Sequence, residues 1–285
     1  MCNATIKPIR FITAALTLTA LTFLASCKGD NSAAEAQSLY DRAEAAINAG
    51  DNAGAMALLD SLDNRYASQT EIRRRAMHLR SLAREGLCTV RLAEADSMLV
   101  VTQLRADSLR HMLTWVNNDV EGYFIVEGTS LPPTGIQARV SSEGIFYLIS
   151  SLEGHNIGHT SLSLSSDNGS ATSTSVAYDG ERNRRDSGAE LVHFVGAECD
   201  TLGHFAFNNR RGPVTLTFNG PSGATYSRPL TMGELSGVAT AWDYASSLVR
   251  LKVYNLEHEK LERQLAVARS QSARTLPDPD STATK

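Results

Sequence analysis

The sequence predicts an α+β chain: an N-terminal helical hairpin and two long helices, paired as a coiled coil, flanking a small antiparallel β-sandwich or partly open barrel. Three observations predict it. From Thr70 the chain is almost free of Pro and Gly for about 45 residues, with apolar residues three and four apart. A second Pro-free stretch runs from Glu234 to Gln271 with the same period. Between them, residues 119–230 are rich in Gly, Ser and Thr and carry only short apolar runs, the pattern of strands and turns. The expected segments are 1–26 (export signal), 27–68 (anchor and hairpin), 69–118 (long helix), 119–230 (all-β domain), 231–271 (long helix) and 272–285 (disordered tail).

The first segment has Lys7 and Arg10 ahead of the 16-residue apolar run FITAALTLTALTFLAS. That run is short for a bilayer-spanning helix and has the length of a signal-peptide core. It closes on Leu24-Ala25-Ser26-Cys27, which resembles the lipobox of bacterial lipoproteins. The resemblance implies cleavage before Cys27, thioether lipidation of its sulfur and acylation of the new amino end. Several acyl chains anchor a protein far more firmly than one, whose membrane binding is marginal. In that class the residues after the cysteine help to sort the protein, and Lys28 in place of an acid resembles an outer-membrane signal. Asp30 is the lone acid there, so the surface leaflet and the periplasmic leaflet both stay open.

Removing residues 1–26 takes away Lys7 and Arg10 and no acid, which moves the formal charge from -4 to -6. Such a balance favours solubility and gives no support to nucleic-acid binding. Of four cysteines, Cys2 leaves with the signal and Cys27 is the anchor. Cys88 falls in a helical pattern and Cys199 in a β-like one; nothing in the sequence brings them together, and two separate thiols are expected.

Ser32 and Glu35 have capping-box spacing, placing a helix start near residue 33. Leu39, Ala43, Ala46 and Ile47 fall on one side of that helix, Gly50-Asp51 is a turn pair, and Ala55, Leu58, Leu59 and Leu62 form the apolar side of a second helix. Leu39, Ala43, Gly50-Asp51, Ala55, Leu59, Leu62 and Tyr66 together resemble a tetratricopeptide repeat over residues 35–68. The closing Pro of that family is absent and no second copy follows, so the concave peptide groove of an array is not implied.

Ile72, Ala76, Leu79, Ala83, Leu87 and Val90 step by threes and fours along the first long helix, and ADSML at 95 and ADSLR at 106 recur 11 residues apart, close to the same helix face. The last helix should start at the second capping-box pair, Thr231 and Glu234, and present Tyr244, Leu248, Leu251, Tyr254, His258, Leu261 and Leu265 as its stripe. Trp115 and Trp242 lie where these helices meet the β segment and are expected to pack there.

In the β segment, strands are expected in EGYFIVEG, GIQARVSS, GIFYLISSL, HTSLSLSS, TSTSVAYD, ELVHFVGA, GHFAFNN, GPVTLTFNG and ATYSRPL. SSDNGS, YDGERNRRDSG and NNRRG read as exposed loops. No GxGxxG or phosphate-loop motif is present. The layout of lipobox, tetratricopeptide-like start, β segment with GIQARVSSEGIFYLIS and VAYDGERNRR, and C-terminal coil resembles predicted lipoproteins of Bacteroides-type bacteria. That likeness implies a location and no activity.

No catalytic constellation stands out, and a non-enzymatic chain without cofactor or metal is expected. His155, His159, His193 and His204 lack the spacing of a zinc protease, although Glu198, Cys199, Asp200 and His204 are near in sequence. No Gly-x-Ser-x-Gly elbow occurs. Asp167, Asp179, Glu181, Asp186 and Glu190 offer carboxylate pairs of the kind any polar loop offers. The expected role is a membrane-anchored lipoprotein holding its β domain toward a cell-envelope partner, protein or glycan, from the outer membrane. Tyr178, Asp179, Arg182, Asn183 and Arg184 are the candidate ligand-binding residues, with stacking aromatics favouring sugar and an apolar patch favouring protein. A hydrolase with an unrecognised site is the rival reading. The oligomeric state is left open.

Overall fold

The computed structural model describes residues 29–117 and 122–275. Cys27, Lys28 and the expected export signal lie outside the described residues; Asp30 falls in the first turn of a helix. The chain divides into two compact units, residues 1–80 and 81–285.

In the first unit, α1 (Gly29–Asn48) and α2 (Asn52–Arg65) form the expected hairpin. Gly50 adopts φ +80°, a conformation open to glycine, and the Asp51 carboxylate caps α2 by accepting from Gly54 N–H at 2.8 Å. Ala36, Tyr40 and Ala43 of α1 and Ala55, Leu59 and Leu62 of α2 are buried. Ser32 is not the helix cap: α1 begins three residues earlier, and the Ser32 hydroxyl accepts from Gln69 Nε2 instead. The start of α3 (Thr70–Arg110) belongs to this unit, where Arg80 meets Asp60 and Asp63 at 2.5 and 2.7 Å.

The second unit holds the rest of α3 and ten strands: β1 (Leu113–Val116), β2 (Tyr123–Val126), β3 (Thr134–Ser141), β4 (Phe146–Glu153), β5 (Ser161–Ser166), β6 (Gly169–Thr172), β7 (Asn183–Asp186), β8 (Ala189–Val195), β9 (Thr215–Asn219) and β10 (Thr225–Pro229). They form two open, wholly antiparallel sheets, ordered β1-β2-β3-β4-β8-β7 and β10-β9-β5-β6. Neither sheet closes on itself. Helix α4 (Asp200–Asn208) lies between β8 and β9 in sequence, and α5 (Met232–Arg274) follows β10. Inward residues of both sheets, among them Leu148, Val192, Phe194, Leu216 and Phe218, share one core with Leu202 of α4 and Leu235, Val238 and Tyr244 of α5.

Three strands stand where none was expected. β1 occupies the expected tail of the first long helix, β7 lies in the YDGERNRRDSG loop, and β6 begins inside SSDNGS. All three are sheet edges, where a strand pairs on one side only and needs little apolar alternation. Two expected strands are absent. TSTSVAYD is irregular after Thr172, the last residue of β6, although Val176 is buried and its N–H bonds Thr160 O at 2.7 Å. GHFAFNN is α4, so residues 119–230 are not all β: Leu202 and Ala206, four apart, are buried on one helical face.

The long helices pack on each other and run antiparallel. Glu85 meets Arg269 at 3.1 Å and Asp96 meets His258 at 3.0 Å, so α3 numbers rise by 11 as α5 numbers fall by 11; nearer the β strands Arg105 bonds the buried Asp243. The two ADS repeats place Ala95 and Ala106 on the same buried face. On α5 the expected stripe is the inward one, Tyr244 through Leu265, and it continues to Ala268 and Ser272. That continuation takes the helix to Arg274, past the expected end at 271, because Ser272 is buried against Glu85. The Thr231 capping box forms as expected, with Glu234 N–H donating to Thr231 Oγ1 (3.1 Å) and Thr231 N–H to Glu234 Oε2 (2.9 Å). Among the described residues no helix is long and apolar enough to cross a membrane.

Candidate functional site

Strand parity sorts the polar residues of the six-stranded sheet into an inner and an outer set, because successive side chains point to opposite faces. Ser150, Glu190 and Asn183 share the inner parity of Leu148 and Val192. Arg139 pairs directly with Tyr147, and His193 with Ile149, on the opposite face; Tyr123 (through Ser141) and Arg184 (through Leu191) share that outer parity.

The inner set forms a buried polar chain. His159, in the turn before β5, places Nε2 2.8 Å from Ser150 Oγ and Nδ1 2.9 Å from Glu190 Oε2. Burial lowers the His159 pKa, so the ring is neutral; with Nδ1–H donated to the carboxylate, Nε2 accepts from the Ser150 hydroxyl. Burial pushes the Glu190 carboxyl up, but hydrogen bonds from His159 N–H (2.8 Å), the His159 ring and Gly158 N–H (2.7 Å) outweigh it and leave its pKa below the ordinary value. Hydroxyl, imidazole and carboxylate stand in the order of an acyl-transfer triad. Ser150 and His159 are 0 % exposed, however, and a substrate carbonyl would have to enter between the sheets to reach them. The chain pins the turn before β5 to β4 and β8.

Asn183, expected as a ligand contact, belongs to this interior: its Nδ2 donates to Val176 O at 2.8 Å and His159 O at 3.2 Å. Asp179 is also engaged locally, accepting from Asn183 and Glu181 N–H at 2.9 Å each, which holds its carboxyl below the usual range. Tyr178 is 68 % exposed. The five residues from Tyr178 to Arg184 therefore do not converge as one site; only Arg182 and Arg184 turn toward a wider surface.

That surface is the outer face. The Arg139 guanidinium lies 4.1 Å from the centre of the Tyr123 ring, and Tyr123 meets Tyr147 edge-on at 6.4 Å. His193 stands beside them with its pKa pushed down to about 4 by burial and then by the charges of Arg184, Arg139 and Arg182. Arg182 is balanced by Glu198 at 2.9 Å, whereas Arg139 and Arg184 form no ion pair among the described residues. The face thus carries net positive charge beside two half-buried aromatic rings, with Arg139, Arg184, Tyr123 and Tyr147 on strands and Arg182 just ahead of β7. It is suited to hold an anionic, ring-bearing ligand by charge and stacking. Tyr123 and Arg139 are not singled out by the sequence, and His193 enters it only as a metal-ligand candidate, because the three come from separate strands.

The other sequence candidates are dispersed. Cys199 is buried, with its thiol pushed up to about 12 by burial, and Cys88 is half-buried; both are free. Asp200 accepts from the Trp242 indole N–H at 2.8 Å, and His204 bonds Asn208. Among the described residues no three His, Cys, Asp or Glu side chains cluster as metal ligands. Trp242 packs against Phe207 of α4 at 5.5 Å, and Trp115 against Phe124 at 4.7 Å, both at the expected joints. A groove of about 680 Å³ beside Trp242 is lined in part by Ile145, Phe146 and Val249. No protein-family model, curated protein or solved structure matches the chain.

Proposed function

We infer that the chain is a non-enzymatic bacterial lipoprotein, anchored through Cys27 in the outer membrane, that binds an acidic glycan of the cell envelope on the outer face of its six-stranded sheet. The observation that carries this reading is the convergence of Arg139, Arg182 and Arg184 around His193, beside Tyr123 and Tyr147. Two of those arginines have no carboxylate to satisfy them among the described residues, and uronate or phosphate groups on a sugar supply one. The helical pair suits a presenting role. Its ties at Glu85–Arg269 and Asp96–His258 lie far along α5 from the strands, and the pair reads as an antiparallel coiled coil with core residues three and four apart. The hairpin of α1 and α2 is read as a single tetratricopeptide-like unit without a peptide groove.

A glycan array carrying neutral, uronate-bearing and phosphorylated sugars tests the reading. Acidic glycans should be retained in a salt-sensitive way, and R139Q/R184Q should weaken retention at least tenfold; equal retention of neutral sugars, or no change in the variant, refutes it. In the producing bacterium, Cys27→Ala should release the protein from the membrane fraction. A protein partner is the second reading, favoured by the apolar groove at Ile145, Trp242 and Val249. Cross-linking from position 145 to an envelope protein, without glycan retention, would select it.

A further inference from the structure

We propose that the groove between α3 and α5, at the end of the pair away from the strands, is a binding site for a single-chain anionic amphiphile, an alkyl chain ending in a phosphate. The groove encloses about 540 Å³, within the range of small-molecule sites. Four cations rim it, Arg84 and Arg91 from α3 and Lys260 and Arg263 from α5, and among the described residues no carboxylate lines it. Arg263 pairs with Glu259 at 3.6 Å across an exposed helical turn, a contact worth little. Arg84, Arg91 and Lys260 make no side-chain hydrogen bond or ion pair among the described residues.

The floor is apolar. Leu87 and Cys88 are half-buried, Ala268 is buried, and Val267 is 56 % exposed at its edge. Register gives the groove a direction. With Glu85 against Arg269 and Asp96 against His258, Arg91 falls opposite Arg263, and Leu87 opposite Val267. Arg91, Arg263 and Lys260 therefore gather at one end, where a phosphate satisfies them, and the chain extends from there over Leu87 and Val267 toward Gln271. Along α5 the lined stretch from Lys260 to Gln271 spans about 16 Å, or three turns. A partner helix of that length is marginal by itself, whereas an extended alkyl chain fits it. Nothing in this inference depends on the glycan-binding face or on the anchor.

The test uses the full chain and dodecyl phosphate below its micelle concentration. Calorimetry should show one bound molecule, and maleimide labelling of Cys88, followed by mass spectrometry of its peptide, should slow at least tenfold. Inorganic phosphate alone should not slow it. R91Q/R263Q should weaken binding at least tenfold with an unchanged circular dichroism spectrum; should that variant fail to fold, V267Q, at the exposed edge, should show the same loss. The proposal is overturned if neutral dodecyl maltoside protects Cys88 equally, if the folded variants bind as tightly as the parent, or if an acidic amphipathic peptide protects Cys88 and dodecyl phosphate does not. That last outcome would make the groove a helix-docking seam.

Discussion

His193 shows how one residue's surroundings set a property of the whole protein. In the unfolded chain its pKa is near 6.5, and in the folded protein burial and three arginines hold it at about 4. Between those values the unfolded chain binds a proton that the folded protein refuses, so the His193 contribution to stability falls as the pH drops through this window and is constant above it. The loss should be about 2 kcal/mol by pH 4, after allowance for solvent screening of a half-buried ring. Chemical denaturation from pH 7 to pH 4 should show it, and His193→Asn should make that segment of the curve shallower, the remaining slope coming in part from the buried His159; an unchanged slope would contradict the assignment. Neither the pH window nor the polar chain beneath the sheet was legible in the sequence. His193 reads as one of four scattered histidines, and only strand parity separates its outward ring from the inward Asn183 and Glu190.

Elements were legible where local period and burial agree. The α5 stripe, the Thr231 cap and strands β3, β4, β5, β8, β9 and β10 follow from apolar spacing and capping chemistry, which act within a few residues. Edge strands β1, β6 and β7 were not, since their pairing is decided by a neighbour distant in sequence. Helix α4 was misread because its nine residues, DTLGHFAFN, alternate like a strand over their last five. What holds it helical is α5. A Cβ at Gly203 would sit inside van der Waals contact of the Trp242 indole and of Phe146, so helix and indole approach as closely as glycine permits. Gly203→Ala should therefore destabilise the protein by roughly 1–3 kcal/mol, despite alanine's better helix propensity. A gain in melting temperature would show that the indole moves aside at no cost.

Across the whole molecule, burial along α5 changes character. From Leu235 to Ser247 it buries Leu235, Val238, Ala239, Ala241, Tyr244 and Ala245 among others, while beyond that only Leu261, Leu265, Ala268 and Ser272 are buried. Local opening should be easier where fewer apolar contacts must be broken. Amide hydrogen exchange is accordingly expected to be faster over 252–274 than over 235–250, and uniform protection along the helix would refute this.

The sequence by itself determined the α+β class, the hairpin turn at Gly50-Asp51, the inward face of α5, that of α3 as far as Leu87 though not at Val90, which is 55 % exposed, and most central strands. Periodicity, caps and turn residues express physics that operates over one or two turns of chain. It also carries the expectation of an anchor at Cys27, since charge, apolar length and Cys lie in one continuous stretch. Only the tertiary structure decided which edge segments became strands, that Asn183 is interior scaffolding, and that Arg139, Arg184 and His193 share one face with Tyr123 and Tyr147. Those side chains come from separate strands, and their meeting depends on the order and register of the sheet, which no local stretch encodes.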